Sequence, residues 1–220
     1  MSYATLVLGE SGTGKTCSLR NLDPSQTLLV QPIYKPLPFP SKGWTRLNKK
    51  NNKGSIYVTD VAPYILRAIK NSDKPIVVID DWQYILANQF MSRRNEKGFD
   101  KFTQIGGDGF DIMKLATSAG ENKRVYVLAH TNIDENGRTK IKTLGRVLDD
   151  KIVIEGMFTT VLRTVVQDGK YMFSTQNNGF DTVKSPIGLF SDTLIENDLK
   201  AIDDRICEFY GITNQQEDQQ

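Results

Sequence analysis

In the first part of the chain, apolar residues form short continuous runs typical of strands, and these alternate with segments of helical spacing. Short runs of β-branched and aliphatic residues predict strands at 4–8, 28–30, 55–59, 75–80 and 124–129. Apolar residues that recur at helical spacing predict helices at 15–22, 61–68, 82–91 and 112–119, the second with Asp60 as its N-cap. This alternation is typical of an α/β fold with a mainly parallel central sheet flanked by helices.

The pattern changes in the last third of the chain. Segments 139–142, 158–166 and 171–175 have strand character, and the Asp168-Gly169 pair suits a tight turn. They predict C-terminal antiparallel hairpins appended to the sheet. A final amphipathic helix is predicted over 194–210. We expect one domain over residues 1–212, with 31–54 as an irregular basic insertion and 213–220 as a disordered polar tail.

Composition agrees with an ordinary globular domain. The 220 residues are 39% hydrophobic and 25% charged, and the net charge of +2 is too small to indicate nucleic-acid binding by itself. Cys17 and Cys207 are far apart and form no CxxC or metal-type spacing, so the sequence suggests neither a disulfide framework nor a zinc site. No apolar run reaches the length of a membrane span, so we expect a cytoplasmic protein with no membrane partner.

The segment Gly-Glu-Ser-Gly-Thr-Gly-Lys-Thr at 9–16 matches the phosphate-binding pattern GxxxxGK[ST], between a predicted strand and a predicted helix. Gly12 and Gly14 let the backbone turn its amides toward phosphate oxygens. Lys15 is expected to reach the β and γ phosphates, and the Thr16 hydroxyl to bind Mg²⁺. The predicted nucleotide-binding residues are Gly9, Glu10, Ser11, Gly12, Thr13, Gly14, Lys15, Thr16 and Cys17. The expected ligands are ATP and Mg²⁺, although no motif distinguishes adenine from guanine.

Acidic residues follow two predicted strands. Asp80 ends a buried run, where a carboxylate faces the same Mg²⁺ as Thr16. Hydrolysis also needs a carboxylate that orients water, and Asp81, Asp60 and Glu10 are the candidates. Sequence alone does not choose among them.

His130, the one histidine, follows the predicted strand 124–129. In a parallel sheet this strand would deliver it to the nucleotide edge, where a polar side chain can sense the γ-phosphate. The alternative is a hydrogen-bonded histidine at a strand end.

Several segments together resemble the RecA-like, AAA-type P-loop ATPases of bacteriophages. The likeness covers nearly the whole chain and rests on GESGTGKT, IVVIDDW, ILANQFM with RRNEKGFDKF, VYVLAHT, TLGRVLDDKIVIEGMFTTVLRT and NNGFDTVKSPIGLF. Some relatives are single-strand annealing or recombination ATPases. The resemblance therefore implies a RecA-like fold, a phage-encoded ATPase in the host cytoplasm, and partners that include single-stranded DNA and single-strand-binding or other replication and recombination proteins.

Residue by residue, the resemblance assigns Gly9, Gly12, Gly14, Lys15 and Thr16 to the phosphate loop, Asp80 to magnesium and His130 to the sensor position. RecA-type relatives favour Asp60 as the base, whereas AAA-type relatives favour Asp81. Lys184 and Ser185 match a late Lys-Ser-Pro element. In a homo-oligomer, Lys184 would enter the neighbouring ATP site as a catalytic cation, and the alternative is an ordinary turn lysine.

Two basic regions are candidates for DNA contact. The insertion carries Trp44 together with a cluster formed by Lys42, Arg46, Lys49, Lys50 and Lys53. This combination suits phosphate contact with base stacking, although a solvated loop or a partner-docking arm would look alike. The second candidate is Arg93, Arg94 and Lys97 with the glycine-containing stretch 106–109, which is similar to the mobile DNA loops of RecA-like proteins.

The prediction is an ATPase that couples ATP hydrolysis to single-stranded DNA annealing or recombination. Two alternatives stay open at this point. A small nucleotide or metabolite kinase has the same loop and a similar length. A slowly hydrolysing, ATP-gated binding module or loader would need no strong catalytic base.

Overall fold

The computed structural model describes residues 2–213, apart from the side chains at positions 146, 147 and 150. Its strands are β1 (Tyr3–Leu8), β2 (Thr27–Gln31), β3 (Ile56–Val58), β4 (Ile76–Ile79), β5 (Arg124–Ala129), β6 (Thr131–Ile133), β7 (Thr139–Ile141), β8 (Thr160–Gln167), β9 (Lys170–Ser174) and β10 (Leu194–Glu196). Its helices are α1 (Ala62–Asn71), α2 (Gln83–Ser92), α3 (Asp100–Ala116), α4 (Arg146–Lys151) and α5 (Leu199–Tyr210), with 3₁₀ helices at Thr16–Asn21 and Ile154–Met157.

The main sheet has the strand order β3-β2-β4-β5-β1-β8-β9-β10. The strands from β3 to β8 pair in parallel, whereas β9 and β10 add in antiparallel fashion. This sheet, with helices on both faces and antiparallel strands at one end, confirms the predicted α/β fold class. The carboxyl ends of β1, β4 and β5 meet at one edge, and the segments that follow them are the candidates for a site.

The core consists of two layers, one on each face of the sheet. Alternate residues of β4 supply both: Val77 and Ile79 belong to the layer under α1, α2 and α3, while Ile76 and Val78 belong to the layer under the first 3₁₀ helix and α5. All four are buried, which explains why a continuous apolar run encodes this strand. The two layers hold the sheet edge in a fixed position.

Elements in the last third differ from the prediction. β8 is both a hairpin partner of β9 and a parallel neighbour of β1, so it belongs to the central sheet. The predicted helix 194–210 begins only at Leu199, where the Asp198 side chain accepts a hydrogen bond from the Lys200 amide. The preceding residues instead form β10 on the edge of β9. The β6–β7 hairpin and α4 were not predicted in these forms.

The glycine-containing stretch 106–109 lies inside α3 and not in a mobile loop, which corrects the second DNA-binding candidate. Trp82 donates a hydrogen bond from Nε1 to the Gly109 carbonyl oxygen over 3.3 Å. A Cβ at Gly109 would lie 2.6 Å from Leu86 Cδ2. Gly109 therefore allows α2 and α3 to pack closely.

Two local predictions near the helix starts are also corrected. The N-cap residue of α1 is Val61, which makes no side-chain cap, and Asp60 instead accepts a hydrogen bond from Asn88 Nδ2 over 3.0 Å. The helix predicted at 15–22 is the short 3₁₀ helix Thr16–Asn21. The predicted tail lies outside the described residues except for Thr213. Across residues 2–213, none of the helices is both long and apolar enough to cross a membrane.

Candidate nucleotide-binding site

The loop between β1 and the first 3₁₀ helix depends on glycine at three positions. Gly12 and Gly14 have φ angles of 80° and 96°, which residues with a Cβ rarely adopt. A Cβ at Gly9 would clash with the Thr164 hydroxyl of β8 and would lie 2.8 Å from Thr13 Oγ1. The Thr13 and Thr164 hydroxyls share a 2.6 Å hydrogen bond. The loop is thus attached to the neighbouring strand and keeps one shape.

Several backbone amides of this loop have no hydrogen-bond acceptor within the described chain. Within residues 2–213, the amides of Gly12 and of residues 14–17 donate no hydrogen bond to the protein. Backbone donors in a folded protein are normally paired with protein or water. A row of available donors in consecutive residues is an arrangement that binds anions, as phosphate-binding loops do.

Lys15 is buried at the centre of the loop. Its ammonium group donates to the carbonyl oxygens of Gly9 and Glu10, both over 2.9 Å, and lies 3.9 Å from Asp81 Oδ1. Burial lowers the pKa of Lys15, and the neighbouring carboxylates of Asp81 and Asp80 offset part of that effect. A buried ammonium that is held by carbonyls is ready to exchange them for phosphate oxygens.

Thr16 and Asp80 come together as predicted for a magnesium site. The Thr16 hydroxyl lies 3.0 Å and 3.1 Å from the two carboxylate oxygens of Asp80, which is almost fully buried. Burial, followed by the charge of Asp81, raises the pKa of Asp80 to about 6. Asp80 is therefore largely ionised at neutral pH and can bind a cation.

Asp81 lies among three cationic or polar groups. Its Oδ2 atom is 3.3 Å from Lys35 Nζ and 3.5 Å from His130 Nε2. Burial opposes ionisation, but the hydrogen bond from His130 and the charges of Lys15 and Lys35 outweigh it, so the pKa of Asp81 is lowered. Its Oδ1 atom is buried and accepts no hydrogen bond within the described chain. The peptide bond between Asp80 and Asp81 is cis.

His130 connects Asp81 to the phosphate loop. Its Nδ1 atom lies 3.4 Å from Lys15 Nζ, while Nε2 faces Asp81. The tautomer protonated at Nε2 satisfies both contacts, because Nε2 then donates and Nδ1 accepts. Gln83 donates to the His130 carbonyl oxygen over 2.8 Å, and the ring meets Tyr84 edge-on. Its position beside Lys15 agrees with the predicted sensor location.

These groups border a cavity of about 760 Å³. Its volume is in the range of sites that hold a small ligand. Its floor is the phosphate loop, and the remaining walls include the segment after β2, β9 and the end of β10 with the residue that follows it. The lining residues from these walls include Lys35, Pro36, Lys170, Tyr171, Glu196 and Asn197. A nucleotide with its phosphates on the loop would have room for its sugar and base.

Two predicted catalytic residues lie elsewhere. Asp60 follows β3 at the edge of the sheet, accepts a hydrogen bond from Asn88 and does not line the cavity, so its role as base stays a prediction. Lys184 is exposed and pairs through its backbone with Val161, near the start of β8. It does not line the cavity of its own chain, so a role in a neighbour's site stays a prediction.

Sequence reasoning missed Lys35, which lies in the cavity. The residue belongs to the predicted insertion, where its neighbours indicated only an irregular, proline-rich segment. No pattern in the sequence marks it, because its approach to Asp80 and Asp81 depends on the path of the chain after β2. Glu10, the third candidate base, has an exposed side chain.

The donor set fits magnesium only in combination with a phosphate ligand. Thr16 and Asp80 supply hard oxygen atoms, and Mg²⁺ binds through one or two such groups plus phosphates and water. Among the described residues, no group of three or more His, Cys, Asp and Glu side chains is arranged to hold a metal ion. The protein therefore provides part of a magnesium site, which a triphosphate would complete.

No family model and no curated protein matches the chain. Among solved structures, it is similar to a KaiC-like protein from the hyperthermophilic archaeon Pyrococcus horikoshii OT3, with 15% sequence identity, coverage of 78% of each chain and a TM-score of 0.47. At that identity the likeness concerns the fold alone.

Proposed function

We propose that this protein binds and hydrolyses ATP with magnesium. The observation that carries the proposal is the set of amides at Gly12 and residues 14–17 that donate no hydrogen bond within the described chain, on the loop that also carries the buried ammonium of Lys15. These residues line a cavity large enough for a nucleotide. A polyanion is the ligand that satisfies them together, because each phosphate oxygen accepts several hydrogen bonds.

The surrounding residues support specific roles. Lys15 exchanges its carbonyl partners for phosphate oxygens, while Thr16 and Asp80 hold the magnesium ion. When bound, this ion neutralises charge on the β and γ phosphates. Asp81 is the best-placed base, since it borders the cavity and has a lowered pKa that keeps it ionised. His130 contacts both the Asp81 carboxylate and the Lys15 ammonium group, which suits its role as a sensor of the γ-phosphate.

We infer further that hydrolysis is coupled to single-stranded DNA annealing or recombination in phage DNA metabolism, in the cytoplasm of a host. The resemblance of the later segments to phage ATPases supports this inference. So do the exposed side chains of five of the basic residues in the insertion, Lys42, Arg46, Lys49, Lys50 and Lys53. Trp44 is only 9% exposed and contacts Phe39 edge-on, so it is a core residue and not a stacking platform.

Oligomerisation and partner proteins belong to the same proposal. In a homo-oligomer, the exposed Lys184 would be available to a neighbouring subunit's site. Single-strand-binding and other recombination proteins are the expected partners, because an annealing ATPase acts on strands that such proteins cover.

Phosphate release with and without single-stranded DNA tests the proposal, with a panel of nucleoside acceptors in parallel. We expect magnesium-dependent release that DNA stimulates and that Lys15→Ala abolishes. Phosphorylation of an acceptor would make the protein a kinase. Tight ATP binding without turnover under every condition would make it an ATP-gated binding module or loader. Absence of nucleotide binding would contradict the whole proposal.

A further inference from the structure

Lys35 brings a second ammonium group to the carboxylates of the site. Its Nζ atom lies 3.3 Å from Asp81 Oδ2 and 3.8 Å from Asp80 Oδ2. Its side chain lines the same cavity as Lys15.

Asp81 separates the two ammonium groups. Lys15 approaches its Oδ1 atom at 3.9 Å, and Lys35 approaches its Oδ2 atom. Lys15 comes from the floor of the cavity, whereas Lys35 comes from the segment that follows β2. A terminal phosphate that contacts Lys15 beside Asp81 would thus lie within reach of the flexible Lys35 side chain, which is on the other side of Asp81. The two cations would then bind one phosphoryl group from two directions.

Lys35 would compete with a magnesium ion for the Asp80 carboxylate. A divalent cation held by Asp80 repels an ammonium group at contact distance, so metal binding would move Lys35 away from Asp80. Its side chain is 40% exposed and can make that movement. Asp81 and the incoming phosphate are the anions that remain nearby. These contacts therefore place Lys35 beside the position where the negative charge of a terminal phosphate would arrive.

We propose that Lys35 binds the terminal phosphate of the nucleotide and stabilises the charge that develops on it during transfer. The proposal rests on the proposed ATPase function and extends it to a residue in the same subunit. A second cation on a transferred phosphoryl group is an effective form of transition-state stabilisation. Lys35 would supply within one chain the positive charge that Lys184 would supply only across an oligomer.

The segment that carries Lys35 is held by two aromatic contacts. The Arg46 guanidinium lies 5.2 Å from the ring centre of Tyr34, and the ring centres of Phe39 and Trp44 are 6.3 Å apart. Because Trp44 is buried, the segment is fixed on the body of the protein. Substitution of Lys35 itself, which touches neither contact, should leave this attachment in place.

The test compares triphosphate and diphosphate binding to Lys35→Met, to Lys35→Arg and to the matched control Lys42→Met, an exposed lysine of the same insertion. Titration calorimetry with Mg-AMP-PNP and Mg-ADP measures each affinity. For Lys35→Met we expect about tenfold weaker triphosphate binding and less than about twofold change for ADP, the scale of one charged hydrogen bond. Lys35→Arg should recover most of the loss, and Lys42→Met should bind like the unsubstituted protein.

Other outcomes have distinct meanings. Equal weakening of both nucleotides, or no change in either, would overturn the role of Lys35 at the terminal phosphate. Tighter binding of both would also overturn it, since Lys35 would then act only as a competitor of magnesium. If the unsubstituted protein binds neither nucleotide, the proposed ATPase function itself fails. Thermal unfolding of each variant checks that the fold is retained.

Discussion

At the scale of single residues, the candidate site consists of charged side chains that are almost completely buried. Lys15 is 5% exposed, Asp80 is 1% exposed and Asp81 is 5% exposed. Burial of charged groups is unfavourable unless they are paired, so such a cluster is expected where a ligand uses it. Here the ligand would replace internal partners of Lys15 and add a metal beside Asp80.

Lys15→Ala should remove the central cation of the phosphate site. The Lys15 ammonium group is buried in the loop and hydrogen-bonds two of its carbonyls, so its replacement removes the cation nearest to the loop amides. We expect a loss of about 3 kcal/mol in ATP binding, or roughly 100-fold. Titration calorimetry measures this loss. Affinity within a factor of two of the unsubstituted protein would contradict the assignment.

The two cysteines give a second prediction. Cys17 lines the cavity, whereas Cys207 is buried and its pKa is raised to about 11 by burial and by Asp203. Since the thiolate is the reactive form, a thiol reagent at pH 8 should modify Cys17 quickly and Cys207 slowly. AMP-PNP with magnesium should slow the fast phase, and Cys17→Ser should remove it. A fast phase that is insensitive to nucleotide would place Cys17 outside the binding site.

The sequence predicted much of the site at this scale. Residues 9–16 follow a pattern whose spacing encodes the loop, and Asp80 and His130 each end an apolar run that a parallel sheet brings to the same edge. Lys35 and Asp60 were beyond such reasoning. Their positions depend on strand order and on an irregular segment, neither of which follows from local periodicity.

At the scale of elements, the contact between α2 and α3 shows how glycine was misread. A cluster of glycines normally indicates a loop, and three of them fall at 106, 107 and 109. In the folded chain, a tertiary requirement outweighs helix propensity, because Gly109 faces Leu86 and the indole of Trp82. The helix persists through the glycines as a consequence of packing.

Gly109→Ala and Gly107→Ala form a matched pair for this contact. A Cβ at Gly109 would lie 2.6 Å from Leu86 Cδ2 and 3.0 Å from Trp82 Cζ2, so overpacking should cost about 1–3 kcal/mol. The gain in helix propensity offsets up to about 1 kcal/mol of this cost, and the substitution should destabilise the protein on balance. A Cβ at Gly107 meets no atom within 4 Å, and this substitution should stabilise the protein by up to about 1 kcal/mol. Urea unfolding measures both. Equal effects would show that α2 and α3 do not pack this closely.

The C-terminal elements show a second limit of prediction. Leu194–Glu196 has the composition of either a helix start or an edge strand, and pairing with β9 decides for the strand. Likewise, the alternation in β8 suggested a hairpin alone, although its first half also pairs in parallel with β1. Long-range pairing of this kind leaves no local signal.

At the scale of the whole molecule, the net charge of +2 conceals an uneven distribution. Five basic residues of the insertion have exposed side chains, on the segment that also brings Lys35 to the site. If single-stranded DNA binds there, the DNA-binding surface and the nucleotide site share one segment. The coupling between DNA binding and nucleotide binding would then follow from the attachment of this one segment to both sites.

Replacement of Lys49 and Lys50 with Ala tests whether the insertion contacts phosphates. Each lost phosphate contact to a single strand reduces the magnitude of the slope of log affinity against log salt by about 0.7. The double substitution should therefore reduce that magnitude by roughly 1.4. Fluorescence anisotropy with a labelled oligonucleotide measures the slope. The control replaces Lys70 and Lys114, two exposed helix lysines. An unchanged slope for the insertion variant would remove this segment from the DNA surface.

The most direct measurement of the central claim is amide nuclear magnetic resonance with magnesium and AMP-PNP. Because the amides of Gly12 and residues 14–17 have no protein acceptor within the described chain, a triphosphate on the loop should shift their signals most strongly. Lys15→Ala should greatly reduce these shifts at the same nucleotide concentration. Unchanged loop amides at saturating nucleotide, with shifts confined to another surface, would contradict the account.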